Sequence, residues 1–264
     1  MGLFDKKYCD ICGEKIGLFG NRKLEDGNMC KTCAKKLSPW FDERRHSTLE
    51  EIQQQLAYRE ENKKAVADFR CSLELGEKPR VLFDEQGGTF MLANSSDPQD
   101  LQEENPDVFP LELVKSAKMD VDDYRTELYR ENREGEKVSY NPPRYRYTYR
   151  IYIELDLNHP YADHIRFQLN QYAIEIERTE SSFSLFGDSF NPNRDFEYRQ
   201  YKDMGQEIID RLMRTGPYAP QKEEPAENQP RQQEPEQPQY VVCPYCGSKT
   251  RRARFCENCG GNLE

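Results

Sequence analysis

The longest unbroken two-residue rhythm in the chain runs over residues 144–157, RYRYTYRIYIELDL. Tyr145, Tyr147, Tyr149, Ile151, Ile153, Leu155 and Leu157 fall on one side, and Arg144, Arg146, Thr148, Arg150, Glu154 and Asp156 on the other. Successive side chains of a strand point to opposite faces, so this segment reads as a long, half-buried antiparallel strand. The turn NHPYAD returns it into HIRFQL, where Ile165, Phe167 and Leu169 carry the alternation on. Upstream, RVLFD and TFMLA flank EQGG as a hairpin, and Leu111, Leu113, Ala117, Met119 and Val121 alternate within LELVKSAKMDV.

Two stretches keep a helical period instead. Tyr201, Met204, Gly205, Ile208 and Leu212 follow i, i+3, i+4, i+7 spacing and predict a helix after the strands. In HSTLEEIQQQLAYREENKKAVADF, Leu49, Ile52, Leu56 and Val66 lie near one face, with Arg59 and Lys63 interrupting the stripe. Ser47 with Glu50 and Thr48 with Glu51 both have capping-box spacing. The segment reads as an amphipathic connector packed on its neighbours, with a short coiled-coil dimer contact as the alternative. Residues 215–239 are rich in Pro, Gln and Glu with almost nothing to bury, and read as an extended, disordered tether.

The expected architecture is therefore α+β and multi-modular: a four-cysteine zinc module over residues 1–45, a helical connector over 46–70, a β-rich domain over 71–215, a linker over 216–240 and a zinc ribbon over 241–264. Five to seven strands closed by one helix look like a pleckstrin-homology barrel, by analogy of arrangement alone. A plain α+β sheet carrying one helix would give nearly the same pattern.

Composition narrows this picture. Only 36% of the 264 residues are apolar and 33% are charged, so much of the chain is surface, linker or small module. No apolar run approaches the roughly 18 residues of a membrane span, and MGLFDKKYCD has no secretory h-region; the expected compartment is the cytoplasm. The net charge of −10 argues against wholesale wrapping of nucleic acid. Residues 1–45, however, carry ten Lys/Arg against seven Asp/Glu, and residues 241–262 carry four against one.

Eight of the nine cysteines form four Cys-x-x-Cys pairs: Cys9/Cys12, Cys30/Cys33, Cys243/Cys246 and Cys256/Cys259. A two-residue gap lets both thiolates of a pair turn toward one point, and two pairs supply the four sulfurs of a tetrahedral Zn²⁺. The loops between pairs, 17 and nine residues, are workable for small zinc folds. Disulfides fit poorly with reduced cytosolic thiols. CPYC at Cys243–Cys246 alone would suit a redox dithiol, but it lacks the βαβ body such a motif needs. Two structural Zn²⁺ ions are thus expected, each replacing a hydrophobic core. The first module runs knuckle, hairpin-like stretch, then ligand-bearing helix, which is treble-clef order; the second reads as two matching knuckles.

Residues 1 to about 45, including Cys9, Cys12, Gly13, Cys30, Cys33 and the KLSPWF end, resemble an uncharacterised bacterial family with a short four-Cys zinc motif before a larger domain. The C-terminal 22 residues are similar to generic bacterial zinc ribbons. The resemblance implies zinc binding and a bacterial cytosolic setting, and implies no activity.

No catalytic constellation stands out. His46, His159 and His164 are not at ligand spacing with any Cys pair, and the last two flank a turn. Cys71 reads as a buried, inert thiol, and Asp120, Asp122 and Asp123 as a solvated strand end. The resulting expectation is a non-catalytic adaptor or regulator whose partner is a protein or peptide. A nucleic-acid-associated factor is the second reading, using Arg251, Arg252 and Arg254 on phosphates. Recruitment to a membrane surface through the central domain is the third, weakened by that domain's acidity.

Overall fold

The computed structural model describes residues 7–179, 190–214, 240–242, 244–245, 249–251, 254–256, 259 and 261–263. The chain divides into two units, Met1–Pro220 and Gln221–Glu264.

The first unit begins with the hairpin β1 (Asn21–Lys23) and β2 (Asn28–Cys30), the single turn α1 (Lys31–Ala34), and a 3-10 turn at Glu43–His46. Helix α2 (Leu49–Asp68) follows. Thr48 caps it: its hydroxyl accepts from the Glu51 N–H, while the Glu51 carboxylate accepts from the Thr48 N–H, which closes the capping box.

Two four-stranded antiparallel sheets form the body. β3 (Leu73–Gly76), β4 (Arg80–Asp84), β5 (Thr89–Ala93) and β6 (Val108–Pro110) pair consecutively, with helix α3 (Pro98–Glu104) inserted between β5 and β6. The second sheet is organised by two long strands, β7 (Val114–Glu131) and β8 (Lys137–Leu157). Along its other edge β8 pairs with β9 (His164–Gln168) and, further out, with β10 (Ile174–Thr179). Helix α4 (Phe196–Leu212) closes the body, capped by Asp195 accepting from the Tyr198 N–H at 2.9 Å.

The alternation along residues 144–157 has its predicted consequence: Tyr149, Ile151, Ile153, Leu155 and Leu157 are buried, together with Ile165, Phe167 and Leu169. They share one core with Val81, Phe83 and Phe90 of the first sheet and Tyr201, Ile208 and Leu212 of α4. At Gly205 a Cβ would stand 2.5 Å from Met119 Cε and 3.2 Å from Leu169 Cδ2, so α4 lies close against the core at this turn. The outer face of the first sheet is also covered, since Leu82, Met91 and Ala93 pack with Leu101 of α3 and Val66 of α2.

Several expectations need correction. Helix α3 interrupts the β-rich run expected over residues 71–215. Leu111 is buried in a 3-10 turn (Leu111–Leu113), and a register shift between Val114 and Ser116 restarts the alternation. Cys71 is exposed, its thiol donating to the Leu73 carbonyl, because it precedes β3 rather than lying in a strand. Arg59 does not interrupt the helical stripe; it belongs to it. The buried positions of α2 are Ile52, Gln55, Arg59, Asn62 and Val66, spaced 3, 4, 3 and 4, and they face the same chain, so no coiled-coil seam is left free there. The tether read over residues 216–240 lies, up to residue 239, outside the described residues.

In the second unit, β11 (Tyr240–Val242) pairs with β12 (Lys249–Arg251). Among the described residues no helix is long and apolar enough to cross a membrane.

Candidate metal centre

The first knuckle is built by backbone geometry. The Cys9 N–H donates to the Glu14 carbonyl at 2.9 Å, the Gly13 N–H donates to the Cys9 carbonyl at 2.8 Å, and a bridge joins Tyr8 to Lys15. Gly13 sits at φ +75°, where an L side chain is strained, and this lets the chain double back after Cys12. Asp10 ties the knuckle to the hairpin: its N–H donates to the Asn28 carbonyl and its carboxylate accepts from the Asn28 N–H at 2.6 Å. Strand β2 ends on Cys30, which then caps α1 by accepting the Cys33 N–H on its sulfur at 3.3 Å. One turn of helix thus delivers the fourth ligand.

The four sulfurs of Cys9, Cys12, Cys30 and Cys33 lie within 4.8 Å of one another. Cys12 Sγ and Cys30 Sγ are 3.8 Å apart. A tetrahedron of thiolates at about 2.3 Å from zinc has an edge of about 3.8 Å, so the Cys12–Cys30 spacing matches that ion and every sulfur pair lies within about 1 Å of the required edge or closer. Cys9, Cys30 and Cys33 are buried and Cys12 faces solvent. Leu24, Met29, Ile16, Leu37 and Ile52 of α2 pack around the cluster.

The thiols differ in acidity. Burial pushes the Cys9 thiol up, but the backbone N–H groups of Cys30, Cys12 and Ile11 outweigh it, and its pKa is brought down to about 7. Burial and then the neighbouring sulfurs push Cys33 well above the ordinary thiol value. Loading a cation here must therefore release protons, and affinity rises with pH. Four thiolates complete a tetrahedral shell, so such a centre keeps no open position for water or substrate.

The module is fastened to the body by a polar cluster that reading the apolar stripe alone does not reveal. Arg59 donates to Asp107 at 2.6 Å, to the Asn105 carbonyl and to the Lys36 carbonyl, while Ser38 donates to the other Asp107 oxygen at 2.6 Å. Asn62 bonds Asn105, the Pro106 carbonyl and the Val108 N–H. Lys36 and Ser38 lie just after the last cysteine of the module, so this cluster sets the centre against α2 and the loop after α3.

At the other end, Cys256 and Cys259 repeat the knuckle. The Cys256 N–H donates to the Gly261 carbonyl at 2.8 Å and Phe255 bridges to Asn262, the same offsets as in Cys9–Glu14 and Tyr8–Lys15. A Cβ at Gly261 would stand 2.8 Å from Tyr245, which lies between the other two ribbon cysteines. Cys243 and Cys246 themselves lie outside the described residues, as does Arg252. Arg251 closes β12, and Arg254 is exposed beside Phe255, its guanidinium 5.9 Å from the ring centroid.

The other residues weighed in the sequence fall elsewhere. His164 pairs with Asp156, and His159 lies in an aromatic cluster with Tyr58, Phe109 and Tyr161. Asp120 and Asp122 pair with Arg166.

Residues 7–55 match the family described as Domain of unknown function (DUF4428), and residues 239–263 match the zinc-ribbon domain. No curated protein and no solved structure matches the chain. The C-terminal end is thus similar to a zinc ribbon, and the four-sulfur cluster of the N-terminal end has a spacing consistent with zinc binding.

Proposed function

We propose that the chain is a non-catalytic adaptor of a reducing, cytoplasmic compartment, held at each end by one structural Zn²⁺ on four thiolates. In this reading the N-terminal module is treble-clef-like, the body is pleckstrin-like in arrangement, and the ribbon adds a second weak contact on its tether. The body supplies the main docking surface for a protein or peptide.

The observation that carries this reading is the outer half of the β7–β8 hairpin. There Lys137–Ser139 of β8 pair with Tyr129–Glu131 of β7, and none of residues 137–143 is buried, so this arm is open to a partner. Arg125 lies over Tyr145 at 4.2 Å, Arg144 over Tyr140 at 4.9 Å, and Tyr124 and Tyr129 are about half exposed. Tyrosine and arginine are the residue types that concentrate binding energy at protein interfaces.

The test is affinity purification of full-length protein from its source cells, comparing wild type with a Tyr129→Ala/Tyr140→Ala variant of equal zinc content. A discrete protein that survives high salt and disappears with the arm variant supports the adaptor. Retention of every partner by that variant sinks it. Nucleic acid released by salt and lost on Arg251→Ala/Arg252→Ala/Arg254→Ala would carry the second reading, which the exposed Arg254 beside the second knuckle favours.

A further inference from the structure

The turn Gly17–Gly20 presents an apolar pair to solvent. It is closed by the Gly20 N–H donating to the Gly17 carbonyl at 2.9 Å, and Leu18 and Phe19 at its apex are 83% and 88% exposed. No other large apolar side chains among the described residues are as exposed. Arg22 donates to the Phe19 carbonyl at 3.4 Å, so its guanidinium sits at the base of the turn.

Beside it lies a cleft of about 310 Å³ lined by Asn21, Arg22, Lys23, Arg44 and Arg45, with no acidic side chain among the described residues of its wall. The Arg44 guanidinium donates to the Lys23 carbonyl at 2.9 Å and so holds the 3-10 turn against β1. None of the four cations forms an ion pair with a described residue. Partial burial, and then repulsion from Arg22 and Arg45, lowers the pKa of Arg44, which shows how crowded the positive charge is.

We propose that this face of the N-terminal module docks on an anionic phospholipid bilayer, with a headgroup phosphate in the basic cleft and Leu18 and Phe19 inserted among the acyl chains. A phosphate of any origin would satisfy the arginines. Only a bilayer also offers an apolar medium at the depth of the neighbouring turn, and that choice of partner accounts for both features. The contact is peripheral and reversible, because two side chains and four charges fall far short of a spanning helix. It is independent of which protein the arm binds. The proposal thus differs from recruitment through the acidic central domain, since it places the membrane contact on the basic N-terminal end.

The experiment is co-sedimentation of the full-length, zinc-loaded protein with phosphatidylcholine vesicles, with and without phosphatidylglycerol. Binding is expected only to the anionic vesicles and to weaken as salt rises. Leu18→Ala/Phe19→Ala should weaken it at least tenfold. Arg22→Gln/Arg44→Gln should weaken it about 25-fold, roughly fivefold per charge. The apolar pair is solvent-facing, so unchanged zinc content and circular dichroism are expected for the first variant. Phe19→Trp should add, over the Trp40 background, an emission that shifts to the blue with anionic vesicles. The proposal is overturned by absence of vesicle binding, by full binding of the Leu18/Phe19 variant, by an unshifted emission from the Phe19→Trp variant, or by an oligonucleotide or inorganic phosphate displacing the vesicles at equal phosphate concentration.

Discussion

The N-terminal module and the body are joined in one unit, yet they reach order by different routes. Residues 7–47 bury three cysteines with a handful of apolar side chains, and their compactness depends on four sulfurs converging. The body instead closes Phe83, Phe90, Ile153, Leu155 and Ile208 between two sheets and a helix. Between them stands a third material, the buried Arg59–Asp107 pair and its amide neighbours. The stability of one end should therefore respond to chelators and pH, while the other responds to packing.

Removing the metal is the strongest way to break this contrast. Chelation, or Cys9→Ser, should abolish amide protection over residues 7–47 while β8 and α4 stay protected, since structural zinc supplies about 10–16 kcal/mol in small modules. Simultaneous loss from both regions would show them to be one cooperative unit. Next in size is the junction: Asp107→Ala leaves Arg59 charged, buried and unpaired, and should cost about 3–5 kcal/mol in denaturant unfolding. Gly205→Ala acts on the body alone: Met119 must swing its terminal methyl aside, the helix gains from alanine, and the net change is expected to be about 1 kcal/mol or less with no change in zinc content. Thr48→Ala removes the α2 cap for about 1 kcal/mol.

The smallest effect is on pH. The Arg166 N–H donating to Asp120 holds that carboxyl below its usual range. Its contribution is therefore complete above about pH 4 and is lost as pH falls through the depressed value. The difference in Tm between wild type and Arg166→Gln should be full at neutral pH and close as the protein is acidified; a gap that widens in acid would reverse the assignment.

What could be read from the residues depended on which signal each region carried. Cys-x-x-Cys spacing located the first centre because thiolate geometry is local, and the 144–157 alternation located β8 because one of its faces is wet. The first sheet is covered on both faces, so RVLFD and TFMLA are continuous apolar runs that mark strands without saying which side meets which core. The α2 stripe was obscured because its centre is Gln55, Arg59 and Asn62: burial there follows from Asn105 and Asp107, partners 43 and 48 residues away that no local pattern announces. The basic cleft was hidden for a similar reason, as Arg22 belongs to β1 and Arg44 to the 3-10 turn, and only the fold brings them together.

Strand β7 has one further consequence. Among the described residues it has β8 as its strand partner on one side only, over eighteen residues. A flat, bare edge of that length invites the same strand of a neighbouring molecule to add on, which is how sheets grow into fibres. Lys115, Lys118, Asp120, Asp122, Asp123, Arg125, Glu127, Arg130 and Glu131 place a charge at half of the positions of that edge. Two copies approaching it in antiparallel register would have to bury those charges against one another. The length that lets the arm reach outward is thereby kept from becoming a template, and neutralising this row should turn a solitary hairpin into a self-associating one.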